Sequence, residues 1–234
     1  MTPAPDIFLI AGGRESLGAR KDPLLAAILA RLGVPQPRVA YVGAASNDNR
    51  AFFLWIAAML KKAGSGPVRL AALASRRADI AKARELIERS DAVLISGGDV
   101  ELGMRVLERT GSVSLLRDLH REGKPFIGLS AGSIMLARSW VRWADPNDDG
   151  TAAVFPCLGL APVLCDTHAE GEEWEELKVL LRVSGAACGY GIPSGAALRV
   201  SHGGSVAALG RPVQRLILEN GAARLGGELK PASG

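Results

Sequence analysis

KPFIGLSAGSIMLARSW, residues 124–140, is the stretch whose reading decides the fold of this chain. Phe126 and Ile127 continue from Pro125 as a short buried strand, whereas Ile134, Met135 and Leu136 suit a helix that runs on through Ala137 and Arg138. Ser130 is left at the turn between them, in the pattern G-x-S-x-G formed by Gly128 to Gly132. A sharp strand-to-helix turn of this kind projects a nucleophile and points backbone N–H groups at the same spot. The plainer reading is a packed turn that carries a serine.

Outward from this turn, short apolar runs alternate with longer helix-like segments. DIFLIAGG, PRVAYVGAAS, VRLAAL, DAVLISGGD, KPFIGLS and LAPVLCDTH read as strands, and most end in Gly, Ser or Asp, which suit a strand-to-loop exit. AFFLWIAAMLKKAG, ADIAKARELIERS, a region within LGMRVLERTGSVSLLRDLHREG, SIMLARSW and EEWEELKVLLRVS read as helical. In the second of these, Ile80, Ala83, Leu86 and Ile87 fall on one stripe while Lys82, Arg84, Glu85 and Arg89 face out. The alternation predicts an α/β fold, a mostly parallel sheet flanked by helices on both faces. From Ala196 onward, turns at His202-Gly203-Gly204, Gly210-Arg211-Pro212 and Asn220-Gly221 predict a C-terminal antiparallel extension, and the tail LKPASG is expected to fray. With 234 residues and 48% hydrophobic content, one domain spanning 1–234 is expected.

Composition removes several function classes. The 28 basic and 24 acidic residues are spread along the chain for a net charge of +4, with no Lys/Arg block interleaved with aromatics, so nucleic acid is not an expected partner. No apolar run approaches the roughly 20 residues of a membrane span, and MTPAPDIFLIAGG lacks a basic n-region and cleavage site, so a cytoplasmic protein without a membrane partner is expected. Cys157, Cys165 and Cys188 form no C-x-x-C pair and read as buried thiols rather than a disulfide framework or zinc site. AGGRESLG does not satisfy G-x-G-x-x-G, and Asn47-Asp48-Asn49 reads as a polar strand-to-helix cap. Neither a cofactor nor a metal is therefore expected.

In such a sheet, function gathers where strands end at their carboxyl edge, which singles out Ser96 to Asp99, Gly128 to Gly132, and Asp166 to His168. A serine hydroxyl is a poor nucleophile at neutral pH and needs a base, usually with an acid to orient it. His120 stands where a helix ends and reads as a solvent-facing cation, and His202 reads as part of a hairpin turn. His168 follows an apolar strand at the edge that carries Ser130 and is the expected base. For the orienting acid, Asp145, Asp148, Asp149 and Asp166 all stay open. The backbone N–H of Ala131 and that of Gly98 are the expected oxyanion donors.

Taken in order, AGG after the first strand, AAS at 44–46, GGD at 97–99, GLSAG, DTH with His168 38 residues after Ser130, and GIPSGAAL at 191–198 resemble the dipeptidase E and cyanophycinase family of serine peptidases. The resemblance runs from about Ile7 to about Leu198. It implies a class I glutamine amidotransferase-like (flavodoxin-like) fold, Ser130 as nucleophile, His168 as general base, and the amides of Gly98 and Ala131 as the oxyanion hole. It further implies Asp145, 15 residues after the serine, as the third member with Asp148 behind it, and Asp99 and Trp174 at the substrate.

Two departures bear on substrate choice. Aspartate-specific members carry an arginine in the helix after the histidine, whereas this chain has GEEWEELKV there, with Trp174 near that place. In GIPSG, Ser194 stands where the family commonly has an acidic residue. The expected function is hydrolysis of small peptides or isopeptide-like amides, against the alternative of a non-catalytic binding or regulatory relative. A glutamine amidotransferase needs a cysteine at the elbow, and an α/β-hydrolase esterase has no reason for the GGD loop. A small peptide substrate is the expected partner, and a homodimer is one of the oligomeric states the sequence allows.

Overall fold

The structure is a computed structural model and describes residues 5–12 and 22–231. The leading MTPA, most of AGGRESLG and the last three residues of LKPASG lie outside the described residues.

In chain order the first half runs β1 (Ile7–Ile10), α1 (Pro23–Arg31), β2 (Val39–Val42), α2 (Arg50–Ala63), β3 (Val68–Ala71), α3 (Ile80–Arg89), β4 (Ala92–Ile95), α4 (Val100–Arg109), α5 (Ser112–Arg121), β5 (Phe126–Leu129) and α6 (Ala131–Leu136). The second half runs β6 (Ser139–Trp143), β7 (Ala152–Pro156), β8 (Cys165–Thr167), α7 (Glu175–Ser184), β9 (Cys188–Ile192), β10 (Ala197–Val200), β11 (Val206–Leu209), β12 (Val213–Glu219) and β13 (Ala222–Leu229). The main sheet has seven strands in the order β11-β10-β1-β5-β4-β2-β3. Its five strands from β1 to β3 are parallel, and β10 joins antiparallel to β1.

Apolar residues on both strand faces explain why both faces are covered. Leu9, Val42, Val93, Ile95 and Phe126 bury against α3 to α6, and Phe8, Tyr41, Leu94 and Ile127 bury against α1 and α2. Phe8 and Phe126 are buried on opposite faces, and each contributes roughly 1.5–3 kcal/mol by leaving water. The helices start where side chains cap them. Asp22, Asn49, Asp79 and Asp99 accept from first-turn amides of α1, α2, α3 and α4. Asp48 instead reaches across, accepting from the Leu73 and Ala74 amides at 2.8 and 2.7 Å, which ends β3 before the full VRLAAL run.

Three expectations are corrected. SIMLARSW is helical only to Leu136; Ala137 is extended, and Ser139–Trp143 pairs with Ala152–Pro156 as a hairpin, because Trp140 and Val141 pack better on a pleated surface. The C-terminal strands divide. β10 and β11 extend the main sheet, whereas β12 and β13 join a separate four-stranded sheet, β13-β12-β9-β8. His120 is not a solvent-facing cation: it is buried, its ring stands edge-on to Phe126 at 5.8 Å, and burial lowers its pKa. Cys157 and Cys165 are buried thiols, and Cys188 is half-buried. Among the described residues, no helix is long and apolar enough to cross a membrane.

Candidate active site

Parallel register brings the ends of β1, β5 and β4 together at the carboxyl edge, with Ile10 beside Leu129 and Ile95 beside Gly128. Ser130 follows directly, with φ 53° and ψ −123°, a backbone region strained for any residue with a Cβ. The neighbours hold it there. The Ser130 N–H donates to the Ile10 carbonyl at 2.8 Å, the Ser133 N–H donates to the Ser130 carbonyl at 2.7 Å, and the Ser133 hydroxyl also donates to Ile10 O at 2.9 Å. α6 then drops onto the sheet at Gly132, where a Cβ would stand 2.1 Å from the Ile95 carbonyl oxygen. Strain on the order of 1–3 kcal/mol is kept at this turn by those contacts.

His168 arrives from β8. Its N–H donates to the Ile192 carbonyl at 2.9 Å, its φ is 46°, and Nε2 lies 2.7 Å from Ser130 Oγ. That separation is hydrogen-bond contact, the geometry a base needs to take the hydroxyl proton. Both partners sit in left-handed backbone at the ends of their strands, so the pairing rests on two positioned turns rather than on side-chain reach.

The GGD loop closes on the same point. A Cβ on Gly97 would stand 3.1 Å from Ser130 Cβ, and one on Gly98, whose φ is 141°, would stand 2.0 Å from the Ala45 carbonyl oxygen. Gly98→Ala is therefore expected to destabilise the protein by about 1–3 kcal/mol, checked by denaturant unfolding beside the wild type. Among the described residues, the amides of Gly98 and Ala131 donate to no acceptor. Asp99 is turned to the helix behind it, accepting from the Leu102 N–H at 2.7 Å.

The carboxylates separate clearly. Asp145 lies in the exposed β6–β7 turn, where its oxygen accepts from the Asn147 amides at 3.0 and 3.3 Å. Asp148 accepts from the Gly150 N–H, and Asp149 accepts from Trp143 Nε1 and pairs with Arg182 at 3.1 Å. None of the three bonds to His168, because the hairpin that replaces the expected helix carries the whole ADPNDDG turn with it. Glu170 is the carboxylate that follows the histidine, two residues on. Burial raises its pKa, but hydrogen bonds from its own amide and from Ser194, with the nearby charge of His168, hold it below the ordinary value. Its Oε1 accepts from the Ser194 N–H at 3.1 Å. The sequence reading weighed only aspartates for the acid and did not consider Glu170; the H-x-E spacing was the available signal.

Asp166 and Trp174 face elsewhere. Asp166 pairs with Gly191 across β8 and β9, and a Gly191 Cβ would collide with the Trp174 ring, so Asp166 and Trp174 share one face of that sheet. The opposite face carries Cys165, whose thiol donates to the Ser133 carbonyl at 3.7 Å. Trp174 is buried with Val141, Leu164 and Leu177 rather than set in the cleft. Asp166 Oδ1 accepts from the Thr167 N–H at 2.7 Å, while Oδ2 is buried with no hydrogen-bond partner among the described residues. Burial pushes its pKa up to about 7, and Glu176 and Glu172 add to the rise.

Comparison with known proteins bears on the family and the fold. The sequence profile of Peptidase family S51 matches residues 7–207. The pyridoxal 5'-phosphate synthase subunit PdxT of Anoxybacillus flavithermus is 28% identical over 108 residues, 46% of this chain and 51% of that protein. Peptidase E of Haemophilus influenzae is 28% identical over 129 residues, 51% of this chain and 59% of that protein. The chain thus spans about half the length of the curated relatives it matches. A solved peptidase from an acI-B1 Actinobacterium superposes with a TM-score of 0.71 over 97% of both chains at 17% identity, which establishes a shared fold.

Proposed function

The chain belongs to Peptidase family S51, a family of serine-type peptidases, and from that premise we propose that it hydrolyses small peptides or isopeptide-like amides through an acyl-enzyme on Ser130. The observation that carries this reading is the 2.7 Å contact between Ser130 Oγ and His168 Nε2 at a strained strand-to-helix turn.

Ser130 Oγ attacks the substrate carbonyl carbon while His168 Nε2 takes its proton. The carbonyl oxygen becomes an oxyanion that accepts from the Gly98 and Ala131 N–H groups, which cost no reorganisation because the loops already hold them. The tetrahedral adduct collapses as His168 returns the proton to the leaving amine, and the acyl group remains on Ser130. Water then attacks the ester with His168 as base, releasing the acid and restoring the serine.

Glu170 fills the orienting role in this reading, in place of Asp145. An acid must favour the tautomer that leaves Nε2 free to accept, and Glu170, two residues along the chain from His168, is the candidate, its charge lying near that of His168 although no hydrogen bond joins the two among the described residues. Its bond from the Ser194 amide holds it against the GIPSG segment, where the family resemblance expects an acidic side chain.

The test is digestion of a mixed-peptide set read by mass spectrometry, with wild type beside Ser130→Ala. Cleavage by wild type alone is the expected result. Cleavage by both overturns the serine mechanism, and silence from both favours a pocket that binds without cutting.

A further inference from the structure

The wall of the site that the chemistry leaves unused is apolar. A cavity of about 340 Å³ opens on Ser130 and His168 and is walled by Leu25 of α1, by Phe52, Trp55 and Met59 of α2, and by Leu129 of β5. That volume lies in the range of pockets that take small ligands. Trp55 remains 38% exposed, with its ring stacked on Phe52 at 5.8 Å and 21°, so this surface is left open by the described residues. The one carboxylate of the described lining, Asp22, is occupied in capping α1, where it accepts from the Leu24 and Leu25 amides at 2.9 and 3.2 Å. No lysine or arginine stands among the described residues of the wall.

We propose that this cavity receives a bulky apolar side chain of the residue flanking the scissile bond, so that the enzyme selects phenylalanine, leucine or methionine over aspartate there. An acidic side chain placed in the cavity loses its water without gaining a counter-charge from the described residues of the wall and meets the Asp22 carboxylate; an apolar one exchanges water for the rings of Phe52 and Trp55. The inference rests on Ser130 as nucleophile, because the cavity has catalytic meaning only where it meets that hydroxyl.

The experiment compares kcat/KM for peptides that differ only beside the cut, carrying phenylalanine, leucine, methionine, aspartate or lysine, on wild type, Trp55→Ala and Trp55→Lys. The best apolar peptide is expected to exceed the aspartate peptide by about tenfold to two-hundredfold in wild type. The ratio is expected to fall in Trp55→Ala and further in Trp55→Lys, which places a cation on the wall. Equal or greater turnover of the aspartate or lysine peptide by wild type, or a ratio unmoved by both variants, overturns the proposal.

An alkyl fluorophosphonate separates this failure from failure of the serine mechanism. Ser130 Oγ displaces fluoride from phosphorus, forming the P–O bond as P–F breaks, while the hydroxyl proton passes to His168. Labelling of Ser130 that a phenylalanyl dipeptide slows and an aspartyl dipeptide does not supports the pocket, and the reverse order overturns it. Absence of labelling overturns the nucleophile assignment itself, and the pocket proposal with it.

Discussion

Ser130→Ala is expected to lower peptide turnover by about three to six orders of magnitude, and His168→Ala by a comparable factor, with the double variant little worse than either. The non-additivity is the informative part. Once Oγ is gone the imidazole has no proton to take, and once the imidazole is gone Oγ at 2.7 Å has nowhere to send one. What survives in each variant is the contribution of the Gly98 and Ala131 amides and of substrate positioning. The same assay divides the carboxylates. Glu170→Gln is expected to cost about one to four orders of magnitude, since an amide can stabilise the wrong imidazole tautomer and cannot stabilise the imidazolium. Asp145→Asn and Asp148→Asn are expected to leave the rate where it was, because their carboxylates serve the turn between β6 and β7, accepting from Asn147 and Gly150. Collapse on Asp145→Asn with a mild Glu170→Gln would assign the acid to that turn instead.

That the side chains of Ser130 and His168 meet could be read from sequence while the place of the ADPNDDG carboxylates could not, and the difference is a matter of local constraint. The turn at Ser130 needs small residues on both sides, since α6 must touch Ile95 at Gly132 and the GGD loop must touch Ala45 at Gly98. Such contacts leave a compositional trace, GLSAG and GGD, wherever they occur. The parallel sheet was legible for a similar reason: strands buried on both faces are apolar throughout, and Ile7–Ile10, Val39–Val42 and Ala92–Ile95 are. SIMLARSW, by contrast, is apolar under both the helical and the extended period, and only pairing with Ala152–Pro156 decides in favour of a strand after Ala137. Asp145 was expected at the site on its spacing from Ser130 alone, and the turn of the hairpin holds it in bonds to Asn147 instead. Trp174 failed as a cleft residue for another reason: Gly191, remote in sequence, leaves the space that its ring fills.

Asp166→Asn is expected to stabilise the protein, by an amount that grows with pH. The Asp166 carboxyl is 7% exposed, and its pKa stands at about 7 against an ordinary 3.8. A folded-state pKa above the unfolded one means that the native chain holds the proton more tightly, so the stability linked to it is full below about pH 4. It declines as pH rises and is gone above about pH 7. A displacement of about three units at about 1.4 kcal/mol each makes the loss on the order of 4 kcal/mol. Asparagine has no proton to lose and should not show the decline. Chemical unfolding of both proteins at about pH 4 and about pH 8 is therefore expected to give curves that nearly coincide at the lower pH and separate at the higher. Curves displaced equally at both would mean that Asp166 keeps its charge satisfied, contrary to its buried and unpartnered Oδ2. The location gives the effect its interest. The charges of Glu176 and Glu172 already act on the same carboxyl, and the strand that carries it ends one residue before His168, so ionising Asp166 adds a negative charge under the segment that leads to the His168 imidazole. Mild alkali should therefore loosen that segment before the main sheet, and hydrogen exchange at the His168 and Trp174 amides, which donate to Ile192 and Ala169, should rise in wild type beyond the general increase and not in Asp166→Asn.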